Sequence, residues 1–121
     1  MINSEKRYIE FPELKDEAAL RLRAKNAIDR VTKKIIAIDG KGIKDLQKYR
    51  IQSPLFEVTF PENNIYGAPS GPSHAVSDGY WILLQPFKEL EEHVIEFGGE
   101  AWCQKDKLEF TTNVKYNITL V

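Results

Sequence analysis

The chain has 121 residues and a formal net charge of −1, from 17 basic and 18 acidic residues. This length fits one domain with enough residues to bury a core of its own. The balanced charge gives no electrostatic basis for binding nucleic acid, and no apolar run is long enough to span a bilayer. We therefore expect a single domain over residues 1–121, with neither nucleic acid nor membrane among its partners.

The N-terminal part of the chain has the repeat of one amphipathic helix. Pro12 stands where a helix can begin, because the N–H that proline lacks has no partner in the first turn. A short strand over 7–11 is expected before it. Apolar residues recur at three- and four-residue steps and form one stripe, namely Leu20, Ala24, Ala27, Ile28 and Val31. The pattern predicts a helix over about 13–31.

After this helix the apolar repeat changes to two residues, which is typical of strands. The Asp39-Gly40 dipeptide favours a tight turn after the first of them. The segment 80–84 is apolar on both faces and predicts a central strand. The segment 108–120 alternates over so long a stretch that we expect a bend or bulge in it. The strand candidates are 34–38, 55–60, 80–84, 93–97 and 108–120.

Short strands behind a single helix predict a mainly β fold. We expect an antiparallel β-sandwich over about 34–121 with one N-terminal α-helix. The pattern does not separate an immunoglobulin-like from a jelly-roll topology. Residues 61–79 are rich in Pro, Gly, Ser and Asn and predict a loop longer than most connections in compact domains. We interpret this loop as a ligand surface.

Several residues in the predicted loop have the side-chain types of a Ser/His/Asp hydrolase. His74 and Asp78 lie close in sequence to Ser70, Ser73 and Ser77. No glycine-framed nucleophile elbow accompanies them. Asp78 is more simply explained as a cap of the turn into the next strand. We therefore expect no catalysis, and keep a small hydrolase using His74 and Asp78 as the alternative.

Aromatic and polar residues near the loop predict a binding surface for a small molecule or a sugar. Tyr66 and Trp102 lie outside the predicted strands, and aromatic faces supply contact area at low entropic cost. Asn63, Asn64 and His74 add polar groups beside them. These five residues form the predicted ligand site.

The residue types that bind metals do not occur at metal-site spacing. His74, His93 and Cys103 do not match a zinc site, and the oxygen-bearing side chains around the 61–79 loop lack EF-hand spacing. We therefore expect no metal and no cofactor. His93 is interpreted as a partly buried strand histidine with a hydrogen-bond partner.

Five segments carry a resemblance to a known family. They are YRIQSPLF at 49–56, PENNIYG at 61–67, SDGYW at 77–81, HVIEFGG at 93–99 and NVKYNIT at 113–119. Across them the chain resembles an uncharacterised family of bacterial, often secreted, β-sandwich-like proteins. The resemblance brings no assigned activity, cofactor or catalytic residue.

The same resemblance bears on partners and localisation. Longer relatives have a signal peptide and an upstream β-segment that ends in a sequence similar to Ile2-Asn3-Ser4-Glu5. Without that signal the chain as given would be cytoplasmic, whereas the longer relatives are often secreted, so localisation stays open. If the missing segment supplies a strand, a sheet edge is left exposed, and unpaired edges attract partners. We predict a non-catalytic binding or interaction module that forms a homodimer through such an edge, with an oligomer-forming structural domain as a further alternative.

Overall fold

A computed structural model describes residues 2–88, 91–102 and 108–121. The chain is mainly β, with two antiparallel sheets and a single α-helix near the N-terminus. The predicted fold class is therefore confirmed, and its content is that of a β-sandwich-like fold with one helix. Among the described residues, no helix has the length and apolar character needed to cross a membrane.

The first sheet has the strand order β1-β6-β4, with β5 also paired to β6, and the second has the order β3-β2-β7-β8. By their contacts, Asn3–Asp29 and Ile51–Gly79 form one compact unit, and Met1–Ile2, Arg30–Arg50 and Tyr80–Val121 form the other. The elements are β1 (Ile2–Arg7), α1 (Glu17–Asp29), β2 (Val31–Ile38), β3 (Lys41–Gly42), a 3-10 turn (Leu46–Tyr49), β4 (Arg50–Gln52), β5 (Phe56–Phe60), β6 (Gly71–Tyr80), β7 (Glu92–Trp102) and β8 (Leu108–Thr119).

Helix α1 is present but begins later than predicted. Asp16 caps it, because the Asp16 carboxylate accepts a hydrogen bond from the Ala19 N–H at 2.7 Å. The stretch before Asp16 forms turns instead of helix. The apolar stripe is confirmed: Leu20 and Ala24 are buried and cluster with Val76 of β6.

The first strand also lies earlier than predicted. We expected a strand over 7–11, whereas β1 covers Ile2–Arg7 and is followed by a turn at residues 8–10. The Tyr8 N–H donates to the His74 carbonyl at 3.2 Å, which continues the pairing of β1 with β6 by one residue. The β-structure thus begins before the helix and not at residue 34.

The predicted loop over 61–79 and the predicted central strand over 80–84 are both wrong. The central strand of the first sheet is β6, Gly71–Tyr80, and the loop is limited to residues 61–70. Residues 81–88 have no regular secondary structure. Trp81 is 45% exposed and Leu83 is 99% exposed. Composition was misleading here, because β6 is rich in small and polar residues whose polar groups are paired within the sheet.

The predicted tight turn at Asp39-Gly40 is confirmed. Asp39 and Gly40 have φ values of 51° and 78°, and the turn joins β2 to β3. Positive φ at both central residues suits the right-handed twist of the flanking strands.

The long C-terminal strand is confirmed, and its irregularity lies near its start. β8 pairs antiparallel with β7 from Glu92↔Thr119 to Ala101↔Phe110 without interruption. The register then shifts between Ala101 and Trp102, as expected of a bulge. Gly98 lies inside β7, where a Cβ would stand 2.5 Å from the Thr112 carbonyl oxygen. Glycine is therefore required for this close approach.

Candidate interaction site

The loop over 61–70 is organised by one of the predicted site residues, Asn64. Its side-chain oxygen accepts the N–H groups of Tyr66 and Ala68, both at 3.1 Å. Its amide nitrogen donates to the carbonyls of Pro61 at 3.2 Å and Ala68 at 2.7 Å. Because four internal hydrogen bonds occupy this side chain, Asn64 shapes the loop. Asn63 beside it has φ 54° and makes the turn.

Tyr66 lies on the surface of the same unit and is held by two neighbours. Its ring stacks on Phe60 with 5.6 Å between centroids, and it is 54% exposed. The Arg7 guanidinium lies 4.6 Å from the Tyr66 ring centroid and 5.0 Å from that of Phe60. Arg7 also forms ion pairs with Glu5 and Glu10. One face of Tyr66 is thus packed, and the charge of Arg7 is neutralised locally.

His74 and Asp78 are not brought together by the fold. Both lie on β6, four residues apart, which separates them by about 14 Å along an extended strand. His74 is exposed opposite Glu57 of β5, whereas Asp78 is buried and accepts a hydrogen bond from the Gln52 amide at 3.0 Å. Asp78 therefore lies within a strand, and its predicted role as a turn cap is wrong.

The hydroxyl groups of two nearby serines make hydrogen bonds that support the first sheet. The Ser73 hydroxyl accepts the Ile9 N–H at 3.0 Å, and the Ser77 hydroxyl donates to the Asn3 side chain. Both hydroxyls are buried in the first sheet. No Ser/His pair in hydrogen-bond contact is present in the part of the chain that the structure describes.

Trp102, the remaining predicted ligand residue, belongs to the second sheet. Trp102 ends β7 and is half-buried, and its backbone N–H donates to the Arg30 carbonyl at 3.3 Å. Cys103, which follows it, lies outside the described residues. Over residues 2–88, 91–102 and 108–121, no three His, Cys, Asp or Glu side chains are grouped as a metal site would require.

The second sheet contains a carboxylate–imidazole pair. The prediction for His93 is confirmed: it is 8% exposed, and its Nδ1 lies 2.8 Å from Asp39 Oδ2. The other Asp39 oxygen accepts the Val94 N–H at 2.8 Å, and Phe87 stacks on the His93 ring at 3.8 Å. The hydrogen bond from His93, followed by that from Val94, lowers the pKa of Asp39. The Asp39–His93 pair connects the β2–β3 turn to β7.

One face of the second sheet forms an apolar groove of about 130 Å³. At its β8 side the ring of Tyr116 lies 5.9 Å from that of Phe97. The alternation of 108–120 would place Phe110 and Tyr116 on a buried face, but they are 56% and 53% exposed. The groove is lined by Ile36, Ile38, Ile82, Leu84, Ile95, Phe97 and Tyr116.

Strand β8 forms one edge of the second sheet. It has 12 residues, and among the described strands it pairs with β7 alone. Other edges are shorter: β3 has two residues, β4 three, β5 five and β1 six. Natural proteins protect edges by short strands, prolines and charges. Over its 12 residues β8 has two charged residues, Glu109 and Lys115, and no proline.

Sequence reasoning identified the β8 strand but not its edge position. Strand order depends on pairing between distant segments, which periodicity does not report.

No protein-family model, curated protein or solved structure matches the chain. The resemblance to an uncharacterised bacterial family therefore stays a prediction.

Proposed function

We propose that this protein is a non-catalytic interaction module that binds an extended partner segment along the edge of β8 opposite β7. The observation that carries the proposal is the length of this edge, 12 residues, combined with its low charge. An edge of this kind adds a strand from a partner through main-chain hydrogen bonds, and alternate side chains give specificity.

The exposed aromatic residues of β8 support the same function. Phe110 and Tyr116 are each more than half exposed, and both belong to the even-numbered set of a regular strand. Residues of one set share a face of the sheet. An added strand would therefore meet two aromatic side chains on one face and polar side chains, such as Asn113 and Asn117, on the other.

The proposed ligand surface lies on β8 and not on the 61–79 segment. The side chain of Asn64 is used inside its own loop, and half of the segment is the central strand β6. A hydrolase gains no support from the geometry, since His74 and Asp78 lie about 14 Å apart on their strand. The sheet edge is the surface that the described contacts favour.

Selection from a phage library of random 12-residue peptides tests the proposal without assuming a partner. Wild-type protein should enrich peptides in which aromatic or β-branched residues alternate with polar ones. Their binding should be lost with Asn113→Pro and kept with Leu83→Ser, which removes an exposed apolar side chain elsewhere. Peptides that bind Asn113→Pro as well as wild type would contradict an edge site.

A further inference from the structure

We propose that the partner of the β8 edge is a second copy of this chain, paired antiparallel about a two-fold axis at Asn113. This inference rests on the proposed function, because it names the occupant of the same edge. It assigns a register as well as a partner. The register follows from the direction of backbone groups, from side-chain charge and from the exposed aromatic residues.

The direction of the backbone groups follows from the hydrogen bonds at the end of β8. The Leu120 N–H donates to the Glu91 carbonyl at 3.4 Å. On the other side of β7, the Asp39 N–H donates to the Val94 carbonyl at 2.8 Å. The backbone N–H and C=O groups of even-numbered β7 residues are therefore directed to β2, and those of odd-numbered β7 residues to β8. Both hydrogen bonds agree that odd-numbered residues of β7 are the ones hydrogen-bonded to β8.

In β8, even-numbered residues therefore direct their N–H and C=O groups to β7. The pairing has no shift between Phe110 and Thr119, so this alternation holds throughout. The odd-numbered residues direct their backbone groups away from the sheet. They are Thr111, Asn113, Lys115, Asn117 and Thr119, all of which are exposed.

A two-fold pair of β8 strands can use only a few registers. Outward-directed residues must face outward-directed residues, and near the middle of the strand this allows centres at Thr112, Asn113, Val114 or Lys115. A centre at Lys115 places two ammonium groups directly opposite each other, and a centre at Val114 places them on neighbouring diagonal positions. Like charges at these positions are destabilising.

The centre at Asn113 avoids this repulsion. Lys115 then faces Thr111 of the second copy, about 14 Å along the strand from the other Lys115. The two Asn113 side chains face each other across the axis, where amides can both donate and accept. Charge therefore disfavours the centres at Val114 and Lys115 and leaves those at Thr112 and Asn113.

The centre at Asn113, unlike that at Thr112, also places the exposed aromatic residues opposite each other. Phe110 faces Tyr116 of the second copy, and the symmetry repeats this pair on the other side of the axis. Even-numbered residues here form the closer, non-hydrogen-bonded pairs, at which side chains pack best. Tyr116 also borders the apolar groove, so pairing would continue the apolar face of the sheet from one copy into the next.

Sedimentation equilibrium measures self-association directly. We expect the average mass to rise from 13.9 kDa toward twice that value as the wild-type concentration increases from micromolar to several hundred micromolar. Asn113→Lys places two like charges at the axis and should weaken association at least about tenfold. Leu83→Lys adds the same charge at a 99% exposed side chain outside β8, and should change association by less than about twofold.

Cysteine cross-linking tests the register, in a Cys103→Ser background that removes the single native thiol. Asn113→Cys should form a disulfide dimer, because directly opposed hydrogen-bonded residues have Cα atoms about 5.5 Å apart. Thr111→Cys and Lys115→Cys should each remain uncross-linked alone but cross-link when mixed. Cross-linking of Lys115→Cys alone would overturn the Asn113 register.

The possible outcomes distinguish a failure of the proposed partner from a failure of the proposed function. A protein that stays monomeric at several hundred micromolar, yet binds selected peptides at the β8 edge, overturns the second copy and leaves the interaction edge in place. A dimer that is unaffected by Asn113→Lys and gives no Asn113→Cys cross-link overturns the pairing through β8. Association weakened by Asn113→Lys, together with the mixed cross-link, supports both partner and register.

Discussion

The Asp39 carboxylate joins the β2–β3 turn to β7 through His93, with 2.8 Å between Asp39 Oδ2 and His93 Nδ1. Its second oxygen accepts the Val94 N–H, also at 2.8 Å. Asp39 therefore has two roles, since it also adopts the positive φ of the turn. Asparagine can adopt the same backbone conformation, which lets the charge be removed without changing the turn.

Removing this charge should change how stability depends on pH. The pKa of Asp39 is below its ordinary value of 3.8, chiefly through the hydrogen bond from His93. A carboxyl group with a lowered folded pKa stabilises the fold above its unfolded pKa, and this contribution disappears as the pH falls through the folded pKa. Asp39→Asn should therefore lower the melting temperature at neutral pH, and its difference from wild type should narrow as the pH falls below about 4.

Thermal unfolding from pH 7 to pH 2 measures this effect. Asp45→Asn is the matched control, because Asp45 also has positive φ and makes no side-chain cap hydrogen bond. Curves for Asp39→Asn and wild type that stay parallel down to pH 2 would show that Asp39 does not contribute through its charge.

Gly98→Ala should destabilise the second sheet by about 1–3 kcal/mol, because the new Cβ would lie 2.5 Å from the backbone oxygen of Thr112. Urea unfolding gives this value. Gly42→Ala is the control, since a Cβ there meets no atom within 4 Å. It should change stability by less than about 0.5 kcal/mol. Equal effects of the two variants would contradict the close approach of β7 and β8.

Two leucines test the corrected position of the central strand. Leu20 is 0% exposed and Leu83 is 99% exposed. Leu20→Ala should lower the free energy of unfolding by about 2–5 kcal/mol through cavity formation, and Leu83→Ala should change it by less than about 0.5 kcal/mol. A large loss at Leu83 would instead support the strand over 80–84 that the sequence predicted.

Asn64→Ala should destabilise the protein by about 1–2 kcal/mol, because it leaves loop N–H and C=O groups without their side-chain partner. The comparison is Asn63→Gly, which keeps the positive φ of the neighbouring position and should be nearly neutral. Chemical denaturation of both variants measures the difference. A neutral Asn64→Ala would remove the argument that this side chain organises the loop.

Local patterns predicted several features because their causes are local. The helical stripe through Leu20 and Ala24, the turn at Asp39-Gly40 and the alternation of β8 are each set by neighbouring residues. His93 was also predicted correctly as a partly buried strand residue with a hydrogen-bond partner.

Features that depend on distant segments were missed. β6 resembles a loop in composition, because Ser73, Ser77 and Asp78 are polar. Their partners, Ile9, Asn3 and Gln52, are far away in sequence. The apolar run from Trp81 to Leu84 resembles a central strand, yet these residues have no regular secondary structure. The candidate edge was missed for the same reason, since the pairing of β8 on one side only follows from sheet order.

Amide hydrogen exchange by NMR, measured on β8 at two protein concentrations, tests the edge most directly. In dilute protein the even-numbered amides of Thr112, Val114 and Ile118 should be protected, and those of Thr111, Asn113 and Lys115 should exchange rapidly. At several hundred micromolar the second set should also become protected. Odd-numbered amides that are already protected in dilute monomer, or that stay unprotected at high concentration, would contradict an edge that a second copy covers.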